Sequence, residues 1–476
     1  MQIHQRPLAA AITMLLLIAT STAIAGVTPI QIAKLLPSEA VPEDEFARSL
    51  DLDGDIAVVG APFDDELAAD AGAVYVYRKT EGEWALDTKL FASDGVEGDE
   101  FGTAVTISGN RIVVTAIQAF RLDVGVGMVY TFEFDGADWI ETNRFNPSLP
   151  TGQRRLGTSL SLDGDVLAVS IFLDLDPLTP TTSAAILYHW NGSSWSPEHI
   201  INQSAFLSNK FTSGPAIDVD GQVAVIGDYR NSDLGALSGA VSVLRRNNGV
   251  WSEEATLHGS TTLPQEQFGW SVDIDGDTIV VGTEESNQFY HRVVYVFRID
   301  GDGWAKEAEL MAGAEAFEEP FPLDDAFGYE VAISGDTIIS CDRHNFVDDS
   351  QHLTVFKGAT YIYQRTGTAW AIDQRFLIEE GGVFERFGTK IVIEGATALF
   401  GNNRSANDVP DPSAAFLVNL CGTDINNDSI IDSADLGLLI AAFGIASGGP
   451  TDINNDGITD TADLGMLIAD FGTACP

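Results

Sequence analysis

The chain has 476 residues, and 25 Lys and Arg against 70 Asp and Glu give a net charge of −45. That charge excludes nucleic acid and an anionic membrane surface as natural partners, because each phosphate would be repelled. A hydrophobic content of 45% with 26 Phe excludes a disordered acidic chain, and three Cys exclude a disulfide-built scaffold.

The first element in chain order is an export signal. Arg6 precedes the apolar run from Leu8 to Ala19, and Ala23-Ile24-Ala25 supplies small residues for cleavage. A basic residue, a short apolar core and an Ala-x-Ala site read as a secretory signal peptide over residues 1–25. The apolar core is too short to cross ~30 Å of hydrocarbon comfortably. The expectation is a secreted or cell-surface protein with no membrane span.

Residues 26–420 then read as seven repeats. A large apolar residue opens each: Phe46, Phe101, Leu156, Phe211, Phe268, Phe327 and Phe387, at intervals of 55 to 60. Within each unit an alternating segment enters a Gly turn and leaves as an apolar segment, as in residues 49–60 and 271–282. Alternation on both sides of Asp-Gly or Ser-Gly predicts a hairpin. A second hairpin follows, and its last strand carries Trp84, Trp139, Trp195, Trp251, Trp304 or Trp370. These tryptophans are expected to pack between neighbouring sheets. Two hairpins per unit make a four-stranded antiparallel sheet that cannot bury both faces alone. Copies arranged radially can, so the predicted fold is an all-β, seven-bladed β-propeller.

The seventh unit lacks its Trp strand after Ala415 to Val418. The missing strand is found at the other end of the chain. Lys34-Leu35 stand at the same distance before Phe46 as Lys89-Leu90 before Phe101, and Asp44-Glu45 matches Asp99-Glu100. Ile30 to Leu36 is therefore expected to complete the last blade and close the ring.

Phe-Gly at 101, 268, 327 and 387, Leu-Gly at 156 and Gly60-Ala61-Pro62 resemble FG-GAP repeats, the units of the integrin α-subunit propeller and of many bacterial secreted proteins. The resemblance covers roughly residues 26–420. It departs at Phe46-Ala47 and Phe211-Thr212. Integrin-type repeats often carry a calcium loop, whereas Asp51-Leu52-Asp53-Gly54-Asp55 runs straight into Ile56-Ala57-Val58. The Asp-Gly-Asp motifs are accordingly read as hairpin turns and not as calcium sites. Longer loops fall on one face of the ring and carry Asp64, Asp65, Tyr229, Arg230, Glu284, Glu285, Arg343, His344 and Arg404. Function tends to reside in such loops.

The C-terminal residues 421–476 read as a small α-helical calcium-binding domain. Residues 424–435 and 452–463 are two acidic twelve-residue loops. The first offers Asp424, Asn426, Asp428, the carbonyl of Ile430, Asp432 and Asp435. The second offers Asp452, Asn454, Asp456, the carbonyl of Ile458, Asp460 and Asp463. Oxygens at this spacing wrap one hard cation each, so two Ca2+ ions are expected, and folding of the domain should require them. Gly457 takes the sharp sixth position in the second loop and Ser429 in the first, which predicts weaker binding at the first site. A short helix is expected after each loop, with Leu436, Leu439, Ile440 and Phe443 in one and Leu464, Leu467, Ile468 and Phe471 in the other. Cys421 and Cys475 bracket the domain, and the ends of a compact module lie close together, so a disulfide between them is expected. Cys341 is left over and reads as a small buried residue.

One loop and one helix, duplicated over 422–473, resemble a type I dockerin domain. The resemblance implies a cohesin-like partner, recognised in dockerins at the tenth and eleventh loop positions, here Ser433-Ala434 and Thr461-Ala462. No nucleophile elbow, zinc-protease or phosphate-loop motif occurs. The expected function is a secreted, non-enzymatic binding or adhesion protein. Its propeller loops would take a protein or glycan, and its tail would dock elsewhere. A carbohydrate-active enzyme, needing only a carboxylate pair, and a cell-surface structural component are the alternatives.

Overall fold

The computed structural model describes residues 30–38, 41–120, 126–146, 153–174, 182–202, 216–259, 265–284, 293–301, 303–312, 327–342, 346–348, 354–356, 359–376, 387–402, 413–425, 430–444, 451, 453 and 458–471. The expected export signal lies outside them. Among the described residues no helix is long and apolar enough to cross a membrane.

Hairpin turns generate the blades. Gly54, Gly109, Gly164, Gly221, Gly276, Gly335 and Gly395 adopt φ between 54° and 58°, a region where a Cβ is disfavoured. Blade 1 consists of Ser49–Asp53, Ile56–Ala61, Ala73–Thr80 and Glu83–Leu90, hydrogen-bonded in that order. Five further blades repeat the order. Their first strands are Phe101–Ser108, Gln153–Asp163, Ile217–Asp220, Phe268–Asp275 and Phe327–Ser334. Blade 7 has Phe387–Glu394, Thr397–Asn402 and Ala414–Asn419 from the end of the propeller segment, and its fourth strand is Ile30–Leu35. Lys34 pairs with Phe416 and Leu35 with Ala415, antiparallel. The ring is thus closed as the repeat arithmetic predicts.

The core lies between blades. Val58 and Val76 of blade 1 pack with Ile112 and Tyr130 of blade 2. Leu50 and Val59 of blade 1 pack with Leu35, Leu399 and Leu417 of blade 7. Every other neighbouring pair shares such a cluster. A single blade has no core of its own, because each face is covered only by its neighbour. The opening aromatics Phe46, Phe101, Phe268 and Phe327 are fully buried and meet Tyr75, Tyr130, Tyr295 and Tyr361 edge-on at 5.2 to 5.4 Å. Phe211 lies outside the described residues.

The glycines of the repeat mark close backbone approaches. A Cβ on Gly60, Gly227 or Gly282 would sit 2.1 Å from the carbonyl oxygen of Gly102, Gly269 or Gly328 in the next blade. Cys341 takes the place of Gly60 in blade 6 and tolerates its side chain because Gly388 opposite has none. A Cβ there would lie 2.2 Å from its Sγ. Cys341 is a free, fully buried thiol beside the Thr360 hydroxyl, and burial pushes its pKa up, so it is a packing residue. The outer-strand tryptophans pack across blades as expected. Trp195 donates to Thr131 Oγ1 at 2.9 Å, Trp251 to Glu198 at 3.0 Å and Trp370 to Glu307 at 2.9 Å.

Two helices follow the ring, α1 (Ser433–Ala442) and α2 (Thr461–Asp470). Leu439, Leu467, Ile431, Ile453 and Cys421 form their shared core, which reaches Ala396 in the blade 7 turn. Of the spaced apolar residues, Leu439 and Leu467 are buried and Leu436 and Leu464 partly so. Ile440, Phe443, Ile468 and Phe471 are exposed.

Candidate functional site

A central channel of about 1080 Å³ runs between the first strands of all seven blades. Its turn end is ringed by the residue preceding each turn glycine. The Glu394 side chain accepts from the Gly54 N–H, Asp53 from Gly109, Ser108 from Gly164, Asp163 from Gly221, Asp220 from Gly276, Asp275 from Gly335 and Ser334 from Gly395. These seven bonds, at 2.5 to 3.0 Å, form a complete circle that crosses the closure of the ring between blades 7 and 1. The Asp-Gly motifs are hairpin turns, as read from the sequence. Sequence reasoning missed that their carboxylates also staple each blade to the next.

Two residues further into the channel a second set is incomplete. Asp51 accepts from Thr106 Oγ1 and the Ile107 N–H, Asp218 from Ser161 Oγ and the Ile274 N–H, and Asp273 from the Ile333 N–H. Ala332 and Val392 hold the equivalent places in blades 6 and 7. Each carboxyl is partly open to the narrow channel yet surrounded by protein. Burial pushes Asp51 up to about 7 and raises Asp218. Burial and the neighbouring Asp218 charge raise Asp273 well above the usual carboxylate range. The Asp218 and Asp273 carboxyls lie in direct hydrogen bond with each other. Carboxyls in direct hydrogen bond are too close to flank a glycosidic bond, which needs a separation of at least about 5 Å.

The opposite mouth, on the loop face, is different. Among the described residues it is lined by the residue that follows the opening pair of the repeat. Blades 2, 3 and 7 place Thr103, Thr158 and Thr389 there, blade 1 places Arg48, and blades 5 and 6 place Trp270 and Tyr329. Trp270 and Tyr329 lie 5.8 Å apart, and Tyr229 of blade 4 meets Trp270 edge-on at 4.9 Å. All three rings are half-buried. The Arg230 guanidinium lies over the Tyr229 ring, 4.6 Å from its centre. Glu284 lines the mouth beside Trp270, and Lys390 pairs with Glu330 at 2.7 Å across blades 6 and 7. Arg48 pairs with Glu45 at 3.2 Å.

Of the loop residues singled out in sequence, Tyr229, Arg230 and Glu284 come together here. Asp64 does not: it is buried and holds Lys89 at 2.7 Å and the Tyr75 hydroxyl at 2.9 Å. Asp65 accepts from the Asp70 N–H within its own loop. Glu285, Arg343, His344 and Arg404 lie outside the described residues. Trp270 and Tyr329 were missed. The available signal was an aromatic at a repeat position that is Thr in three other blades.

In the tail, Asp424, Asp435 and Asp463 are fully buried. Asp435 accepts from the N–H groups of Ile425 and Asp432, and Asp432 caps α1 through the Ala434 N–H. Asp463 accepts from the Asp460 N–H, and Asp460 caps α2 through the Ala462 N–H. Ile430 and Ile458 are exposed side chains, as are Ser433, Ala434, Thr461 and Ala462 in the first helical turns. Asn426, Asp428, Asp452, Asn454, Asp456 and Cys475 lie outside the described residues. Cys421 is buried and disulfide-bonded. Residues 421–476 contain nine Asp and no Lys, Arg or His. Buried carboxylates are costly without a cation, and this segment supplies none of its own. An oxygen-only donor set of this kind fits a hard divalent ion.

The FG-GAP repeat matches residues 30–77, 84–132 and 251–297. Each match begins in the fourth strand of one blade and runs on into the first three strands of the next, the same offset that places Ile30–Leu35 in blade 7. No curated protein matches the chain. Among solved structures, an acylaminoacyl peptidase of Pyrococcus horikoshii (orthorhombic crystal form) is similar over 80% of this chain and 52% of its own, with 9% identity and a TM-score of 0.45. The chain spans about half the length of that protein.

Proposed function

We propose, from FG-GAP repeats set in a closed seven-bladed ring, that the chain is a secreted, non-catalytic binding and adhesion protein. The loop face holds a protein or glycan ligand, and a dockerin-like tail docks the molecule to a cohesin-like or other surface module. The observation that carries the reading is the division of labour in the channel. The carboxyls of the turn end are committed to stapling blades, whereas aromatic and charged side chains collect at the loop-face mouth.

Two Ca2+ ions would be held in the tail by Asp424, Asn426, Asp428, the Ile430 carbonyl, Asp432 and Asp435, and by Asp452, Asn454, Asp456, the Ile458 carbonyl, Asp460 and Asp463. The ions would supply the positive charge that this segment lacks. The chain's own contribution is to orient Asp435 and Asp463 by backbone N–H groups in the folded domain. Ser433, Ala434, Thr461 and Ala462, exposed beside these loops, are the proposed docking contacts.

The test is a glycan array and surface-attachment assay of the full mature chain, with and without calcium and with product analysis. Saturable attachment without turnover is expected. Release of cleaved glycan would overturn the reading in favour of an enzyme.

A further inference from the structure

Among the described residues the mouth of the channel carries aromatic side chains at one repeat position in one sector, and Arg48 at that position in blade 1. The residue after the opening pair is small and polar in blades 2, 3 and 7 but is Trp270 in blade 5 and Tyr329 in blade 6. Packing does not demand this, because the fold accommodates Thr at the same place three times over. Tyr229 extends the aromatic row into blade 4. Three half-buried rings at 4.9 and 5.8 Å spacing make an arc on one wall of a concave opening.

The chemistry around the arc narrows the ligand. Among the described residues the mouth is lined by charges of both signs, Glu45, Glu284 and Glu330 with Arg48 and Lys390, and the Arg230 guanidinium behind Tyr229 has the Asp228 carboxylate as a neighbouring charge. In a chain of net charge −45, a mouth of mixed sign offers no excess of cations for an anionic ligand and no acidic cluster for a cationic one. Around the rest of the mouth the same position carries Thr103, Thr158 and Thr389, with Thr103 Oγ1 donating to the Glu100 carbonyl and Thr389 Oγ1 to that of Gly401. A ligand that fits has an apolar ring face to lie against aromatic rings and a rim of hydroxyls to meet carboxylates, a guanidinium and Thr side chains. A proline-rich peptide satisfies the first requirement but brings few hydroxyls for the second.

We infer that Tyr229, Trp270 and Tyr329 form a stacking platform for an uncharged pyranose unit of a glycan at the loop-face mouth of the channel. This rests on the binding role proposed above and specifies its ligand class.

The experiment uses the full chain in calcium and follows tryptophan fluorescence and calorimetric titration with cellohexaose, xylohexaose, mannohexaose and a proline-rich decapeptide. Trp270→Thr and Tyr329→Thr are compared with wild type; Thr is native at this position in other blades, so melting temperature serves as the control for folding. At least one hexaose is expected to bind, and each substitution should weaken it by about tenfold or more with melting nearly unchanged. Failure of all three hexaoses to bind, or binding of the decapeptide alone, would overturn the inference. Hexaose binding untouched by both substitutions would overturn the platform and leave a binding role elsewhere on the loop face standing. Cleavage of the hexaose would instead remove the binding role itself.

Discussion

Asp51 shows how a single side chain can be structural and pH-sensitive at once. Its carboxyl joins blade 1 to blade 2 through Thr106 and Ile107, and burial pushes it up to about 7. Below the unfolded value of about 4 both states are protonated and the group's contribution is fully present. As pH rises toward 7 the unfolded chain ionises first, so that contribution is lost through this window. Asp218 and Asp273 are raised too and act with the same sign. Asp51→Asn should therefore melt close to wild type near pH 4, gain on it as the pH rises to about 7, and gain little more above that. Parallel melting curves across that range would show that the carboxyl is not shifted. Gly102 is a second residue with a sharp expectation. Its φ is 95°, and a Cβ would meet the Ala73 carbonyl oxygen at 2.4 Å. Gly102→Ala should cost roughly 2 kcal/mol or more in denaturant unfolding. Ala47, which occupies the matching place in blade 1 at φ 64°, shows that the conformation is kept even where the glycine is not.

At the scale of an element, the strand Ile30–Leu35 matters out of proportion to its length. It supplies the fourth strand of blade 7 and buries Leu35 against Leu50 and Leu417. Losing its ladder and that side chain removes several hydrogen bonds near 1 kcal/mol each and about 2 kcal/mol of burial. It also exposes the edge of Ala414–Asn419, a template for wrong pairing. Deleting residues 26–40 should lower the melting temperature strongly and promote aggregation, read by calorimetry and light scattering. An unchanged melting temperature would count against the clasp as a source of stability.

For the whole molecule, ring and tail should answer differently to chelation. The ring is held by inter-blade apolar clusters and by side-chain staples made between the chain's own groups. The tail has a small core around Leu439 and Leu467, beside fully buried Asp424, Asp435 and Asp463. Hydrogen exchange in EDTA should show protection lost over 421–476 and retained in the first and second strands of the blades. A tail that stays protected without calcium would overturn the proposed metal requirement.

The blade count and the closing strand were legible in the sequence because each is a matter of spacing. A repeat of 55 to 60 residues, a glycine at every hairpin and a strand missing at one end and present at the other are local patterns with one geometric solution. The two helices after the acidic loops were legible for the same reason. What local pattern could not assign were the roles that depend on which residue faces which across blades. Asp53 reads as a turn residue until the next blade presents the Gly109 N–H to it. Tyr229, Trp270 and Tyr329, separated by 41 and 59 positions, become one surface only when blades 4, 5 and 6 are set side by side. Periodicity determines the ring, since every blade must bury the same two faces. The chemistry of its two ends is decided by the register between neighbours, which is a property of the closed structure alone.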